Sequence, residues 1–261
     1  HMAKTNNLTD FLTSLAAKFR AKLGTSGTIN PQDFEGKVDA VFEAGKKSEY
    51  DAFWDAYQSN GTRTHYHSAF AGVGWTQTNF KPKYTVRPSE ARNMFLQNTA
   101  ITDLTLTGKL DFSEVTRISD FIAWSSVAKV PAINLSKVDK SPSAFENASE
   151  LVTVENLILP STPFPVGISA MFYQCNALEN ITITGTIQNT GFDLHWSTKL
   201  TIESVTSILT ALSKDSSVAS GKTITLPLSA KEKLDSNLEN TAEAQTQYNL
   251  ALSAGWTIAF S

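Results

Sequence analysis

The stretch MFYQCNALENITI, residues Met171–Ile183, holds the pattern that organises most of the chain. Phe172 is followed six residues later by Leu178 and nine residues later by Ile181. The run Ile181-Thr182-Ile183 then alternates with the period of two expected of a half-buried strand. The same offsets recur on either side. Anchors stand at Phe70, Phe95, Phe121, Phe145 and Phe172, with Leu194 as a weaker sixth, at intervals of 25, 26, 24, 27 and 22 residues. Six residues past them come Ile101, Val127, Leu151, Leu178 and Leu200, whereas Phe70 meets Thr76 beside Trp75. Leu104, Val130, Val154 and Ile181 occupy the ninth position. The first unit is atypical, as a terminal cap should be.

A period of 22 to 27 residues falls in the range of leucine-rich repeats. One such unit cannot bury its own apolar face, but stacked units bury each other's. The spacing therefore predicts an α+β fold: a short leucine-rich-repeat solenoid with a parallel strand ladder, preceded by N-terminal α-helices and closed by a C-terminal cap. The expected inward pairs are Leu104/Leu106, Ile133/Leu135, Leu157/Leu159 and Ile181/Ile183. The two middle units carry three extra residues before the strand, which should bulge locally.

Three regions follow: 3–62, a helical anchoring or oligomerisation region; 63–213, the solenoid; and 214–261, a strand-helix-strand cap. Leu8, Phe11, Leu12, Leu15 and Phe19 form one helical stripe, which Gly24 and Gly27 should stop. Asn30 and Pro31 can open a second helix. Its apolar face continues to Phe53, Trp54 and Tyr57 before Asn60-Gly61, with Gly45 marking either a kink or a short break. That aromatic stripe either docks on the chain's own next region or self-associates, with Phe53, Trp54 and Tyr57 as oligomerisation residues. Toward the C-terminus, a helix over Ile202–Leu212, a strand with Ile224 and Leu226 inward, a polar helix over about 230–251 and a strand over 256–260 are expected.

Composition narrows the chemistry. Of 261 residues, 41% are apolar and 18% charged, enough for a sizeable core. Twenty-two Lys and Arg against 25 Asp and Glu give a charge of −3, no footprint for nucleic acid or an anionic membrane. One cysteine rules out an internal disulfide, and four histidines, one in a leading His1-Met2 that reads as a cloning remnant, leave little for a metal. A soluble chain is expected, since no window approaches the roughly 18 apolar residues of a membrane span and no signal segment opens the sequence. His65 and His67 share a face of an extended segment, but no cysteine lies nearby to complete a metal site. His195 beside Trp196 suits packing better than catalysis. There is no nucleophile elbow, phosphate loop, dinucleotide glycine pattern or zinc-protease motif, so a non-enzyme without cofactor or metal is expected.

MFYQCNALENITI closely resembles the AF-x-x-C-x-x-L-x-x-I-x-I unit of BspA-like bacterial leucine-rich repeats, and SAFENASELVTV from Ser143 is similar, with Ala148 at the cysteine position. Asn98, Trp124 and Ser197 take that position in other units. The resemblance covers roughly residues 66–200. A second one covers Ile29–Trp75, whose NPQDF, EAGKKSEYD and FWD in order are similar to minor structural, tail-associated proteins of phages and prophages of gut Firmicutes. It implies helices that attach to a particle and repeats that project from it.

The expected function is therefore a non-enzymatic phage or prophage structural protein, located in the virion tail. Its repeats would bind a bacterial surface polysaccharide or protein, or another particle protein. The alternative is a cell-surface or secreted leucine-rich-repeat adhesin. Two candidate surfaces present themselves. Thr105, Asn134, Ile158 and Thr182, with Thr225 in the last strand, point outward between inward pairs and form a hydrogen-bonding row. Trp124, Tyr173 and Trp196 near the anchors form a possible aromatic platform.

Overall fold

The computed structural model describes residues 7–23, 34–138, 143–164, 168, 170–236 and 241–261. The chain divides into two compact units, His1–Asn60 and Gly61–Ser261. Residues 214–261, treated above as a cap, thus belong to the same compact unit as 63–213.

In the first unit, α1 (Asn7–Leu23) and α2 (Phe34–Tyr57) pack on each other. The expected stops and starts at Gly24, Gly27, Asn30 and Pro31 lie outside the described residues. Gly45 does not break α2, which runs through it. Ser59, Asn60 and Gly61, all at positive φ, then turn the chain out of the helix. Trp54 is buried, whereas Phe53 is 39% exposed and stacks on Tyr57 at 5.3 Å. Of the three proposed oligomerisation residues, Trp54 therefore offers no surface to another chain.

The second unit mixes α and β with parallel strand ladders. Its four-stranded sheet contains β1 (Lys129–Val130), β2 (Ile133–Asn134), β3 (Thr153–Ile158) and β4 (Asn180–Thr184), all paired in parallel. β1 and β2 hold one register against β3, and Pro131, which has no N–H to give, stands in the gap between them. Where three extra residues were expected to bulge before the strand in both middle units, the shift against β4 is one residue and lies inside β3: Val154 pairs with Ile181 and Leu157 with Ile183, so Glu155 and Asn156 both face Thr182. The ladder continues backwards as single bridges from Lys129 to Asp103 and from Ile133 to Phe112.

A second line of pairing runs through the anchors. The amide of Phe70 donates to Met94 O, Phe95 to Phe121 O, Ile122 to Ala144 O and Phe145 to Met171 O. In the third segment this register puts Ile122, not Phe121, in the anchor place. The sequence reading slips by one there because both residues are apolar and both are buried. Two residues past the anchors of the first five segments, Gly72, Gln97, Trp124, Asn147 and Gln174 all adopt positive φ of 51° to 68°. Such a conformation costs a residue other than Gly or Asn about 1–2 kcal/mol. Its recurrence in five successive segments makes it a property of the stacking geometry.

Burial of the anchor rings holds the segments together. Phe70 lies 5.3 Å from Phe95, Phe95 5.5 Å from Phe121, Phe145 5.2 Å from Phe172 and Phe172 5.5 Å from Phe192, all fully buried. Truncating one to alanine costs about 3–5 kcal/mol. Of the expected inward pairs, Leu106 fails: it sits in a turn, where Gly108 N donates to Thr105 O, and is 71% exposed. That segment pairs through single bridges at Asp103, Leu110 and Phe112 where the next segment has strands, so nothing carries the alternation on to Leu106.

Side chains close both ends of the main ladder. At the first end, the Gln77 amide imitates a strand: its Oε1 accepts from Thr102 N and Asp103 N, and its Nε2 donates to Asp103 O. At the other end α3 (Ile202–Ala211) lies along β4, and Ser204 Oγ and Ser207 Oγ accept from Ile181 N and Ile183 N at 2.9 and 2.8 Å. Open sheet edges invite pairing with foreign strands, and these residues occupy both. The chain continues through α4 (Ser216–Ala219) to β5 (Thr223–Leu226), α5 (Leu228–Asp235), α6 (Ala242–Ser253) and β6 (Thr257–Phe260), with β5 and β6 parallel. Two helices stand where one was expected. Ile224 and Leu226 are buried, as the alternation requires.

Candidate binding surfaces

The outward row of five does not form as expected. Asn134 pairs with Ile158, and Ile158 with Thr184, so the row that exists is Asn134, Ile158 and Thr184. Thr182 faces the bulge instead, two residues short of Thr184, the residue that pairs with Ile158. Thr105 lies in the turn, where its amide and hydroxyl donate to Asp103 Oδ1 at 2.8 and 2.6 Å. Thr225 belongs to the second, two-stranded sheet. A neighbouring row of Asp103, Lys129, Thr153 and Asn180 escaped the sequence reading. Lys129 Nζ lies 3.8 Å from Asp103 Oδ2, and Thr184 Oγ1 donates to Asn156 Oδ1 at 3.0 Å. The resulting face is polar and hydrogen-bonding.

The three aromatics do not form one platform. Tyr173 and Trp196, 41% and 37% exposed, meet edge to face with centroids 5.8 Å apart. Trp124, 57% exposed, is separated from them by a strip of backbone: its amide donates to Asn147 O, and the Asn147 amide donates to Tyr173 O. Two polar groups join the pair instead. The His195 ring lies 4.8 Å from that of Trp196, and its Nδ1 is 2.5 Å from Asp193 Oδ1, which also accepts from the His195 amide. The signal for this was the spacing Asp193-Leu194-His195, where an inward leucine leaves its two neighbours on one side.

From the second segment on, the position three residues past the anchor proves to be internal, whereas Val73 in the first is 93% exposed. Cys175 Sγ donates to Phe145 O at 3.0 Å, and burial pushes its thiol pKa up to about 12. Asn98 Nδ2 donates to Phe70 O, while its Oδ1 accepts from Ala100 N and Ile101 N. In the third segment the buried Ser125 fills the place assigned above to Trp124, and its hydroxyl donates to Ile122 O. Ser197 Oγ donates to Cys175 O.

Several carboxyls have displaced pKa values. Burial raises Glu90, but hydrogen bonds from Arg92 and the charges of Arg92 and Arg117 bring it below its ordinary value. Burial also opposes Asp111, which bonds from Ser113 and Arg87 hold low. Asp120 is raised by burial, and Glu146 by burial and by the charge of Asp120. His65 and His67 are both exposed, and among the described residues no three His, Cys, Asp or Glu side chains gather as metal ligands. Among the described residues no helix is long and apolar enough to cross a membrane. No family model, curated protein or solved structure matches the chain.

Proposed function

We propose that this chain is a non-enzymatic attachment protein of a phage or prophage particle, associated with its tail, in which a short leucine-rich-repeat solenoid binds the bacterial surface. The observation that carries this reading is the lateral pairing of segments about 25 residues apart, through both the anchors and the strands. A surface built that way presents side chains in fixed rows, Asn134-Ile158-Thr184 and Lys129-Thr153-Asn180 among them. Fixed rows bind with little ordering cost, because the backbone is already held on both sides. The contacts are shallow and individually weak. Several copies on one particle, joined through α1 and α2, would raise the overall affinity by avidity.

Competition tests the reading. Purified full chain added in excess should block adsorption of particles induced from the strain that encodes it, and mass spectrometry of those particles should find the chain. Particles that lack the chain, or that adsorb at an unchanged rate in its presence, would contradict the proposal.

A further inference from the structure

The cluster of Tyr173, Trp196, His195 and Asp193 has the chemistry of a particular ligand class. The two exposed rings present apolar faces and edges at one spot, with centroids 5.8 Å apart. Beside them the His195 imidazole is tethered through Nδ1 to Asp193 at 2.5 Å, which leaves Nε2 as the ring nitrogen to meet a ligand. The four residues come from two segments that stack next to each other, since Ser197 Oγ donates to Cys175 O. A purely apolar partner would leave the carboxylate and imidazole without use. An anionic ligand would meet the Asp193 carboxylate. What remains is a ligand with apolar C–H faces and hydroxyls that both donate and accept.

We propose that Tyr173 and Trp196, with His195 and Asp193, form a binding site for a neutral saccharide. A pyranose ring lays its C–H face on the Trp196 indole and its edge toward Tyr173. His195 Nε2 and the remaining lone pairs of Asp193 bond the ring hydroxyls. The inference rests on the attachment reading and gives its ligand a chemical class: a neutral glycan of the cell wall, recognised through one or two sugar units.

The test is an NMR titration of full chain labelled at its tryptophan indoles, with cellobiose, lactose and N,N′-diacetylchitobiose as probes. The Trp196 cross-peak, identified by its loss in Trp196→Phe, should move saturably with at least one of them. The cross-peak of Trp256, whose buried Nε1 donates to Ser213 O, should stay still and reports that each variant is folded. In isothermal titration calorimetry with the same sugars, Trp196→Ala and Tyr173→Ala should each weaken binding roughly fivefold or more, since each removes an aromatic face. Asp193→Asn should weaken it too, by releasing His195. No movement of Trp196 with any of the three sugars, or binding indifferent to both alanine variants, would overturn the proposal. Cell binding kept in full by the Tyr173→Ala/Trp196→Ala double variant would also overturn it and leave the attachment reading standing. Sugar binding here by a chain that attaches to no cell would support the site and overturn the attachment reading.

Discussion

The amide of Ile181 donates to the hydroxyl of Ser204 at 2.9 Å, and that hydroxyl passes its own proton to Glu179 O at 2.8 Å. One serine thus satisfies a donor and an acceptor on the outer side of β4, and Ser207 accepts from the next free donor, Ile183 N. At the other end Gln77 makes three such bonds to Thr102 and Asp103. Substituting one partner leaves the other group unsatisfied, at about 1–3 kcal/mol when buried. Ser204→Ala should therefore lower the urea-unfolding free energy by about 1–3 kcal/mol, and Ser207→Ala and Gln77→Ala, at wetter sites, by about 1 kcal/mol each. Three variants as stable as the parent would show that water closes these edges equally well.

Cys175 should behave as a small buried group and not as a reactive thiol. With its pKa near 12, virtually no thiolate exists at neutral pH. Ellman's reagent should leave the native chain unlabelled at pH 8 and label it stoichiometrically in denaturant. Cys175→Ala should cost about 1 kcal/mol or less beyond the lost volume, because Ala148 already occupies the equivalent place one segment earlier. Rapid labelling of native protein would contradict the geometry.

The carboxyls predict two pH effects of opposite sign. Glu90 and Asp111 have folded pKa values below their unfolded ones. Their contribution to stability is complete above the ordinary carboxylate range and lost as pH falls through the lowered values. Asp120 and Glu146 are raised, so they weaken the fold as pH climbs from the ordinary carboxylate value through the raised one. Asp120→Asn should raise the urea midpoint at pH 7, with the gain vanishing in acid, and asparagine keeps the left-handed backbone found at φ 52°. Glu90→Gln should flatten the loss of stability below pH 4.5. A destabilised Asp120→Asn at pH 7 would refute the sign.

Among the described side chains of the α2 aromatic stripe Phe53 is the exposed one, and self-association through this helix should depend on it. In sedimentation velocity the full chain should associate in the micromolar range, and Phe53→Ala should return it to monomer without loss of helix signal. Trp54→Ala should instead destabilise the fold, since Trp54 is buried. A strict monomer across that range would remove the avidity mechanism.

The strand ladder was legible because its signal is periodic: Val130, Val154 and Ile181 announce buried positions at one offset from the anchors and are buried. Register within the ladder was not legible. Ile158 pairs with Thr184, two residues beyond Thr182, after one extra residue in β3, and no propensity marks which residue a bulge will take. Likewise Phe121 and Ile122 are equally apolar, so only the hydrogen bond from Ile122 N to Ala144 O tells which holds the anchor place. Leu106 failed because alternation in Leu104-Thr105-Leu106 looks like a strand, while Gly108 and the Asp103 carboxylate make a turn of it. In the candidate site Tyr173 and Trp196 were readable as exposed aromatics, yet their meeting with His195 and Asp193 depends on how adjacent segments stack.

Flow cytometry of fluorescently labelled full chain on a panel of intact Gram-positive gut bacteria tests the attachment reading most directly. It should show saturable binding confined to some strains, competed by unlabelled chain and by the wall polysaccharide of a bound strain. Absence of binding across the panel, or equal binding to every strain without competition, would contradict it.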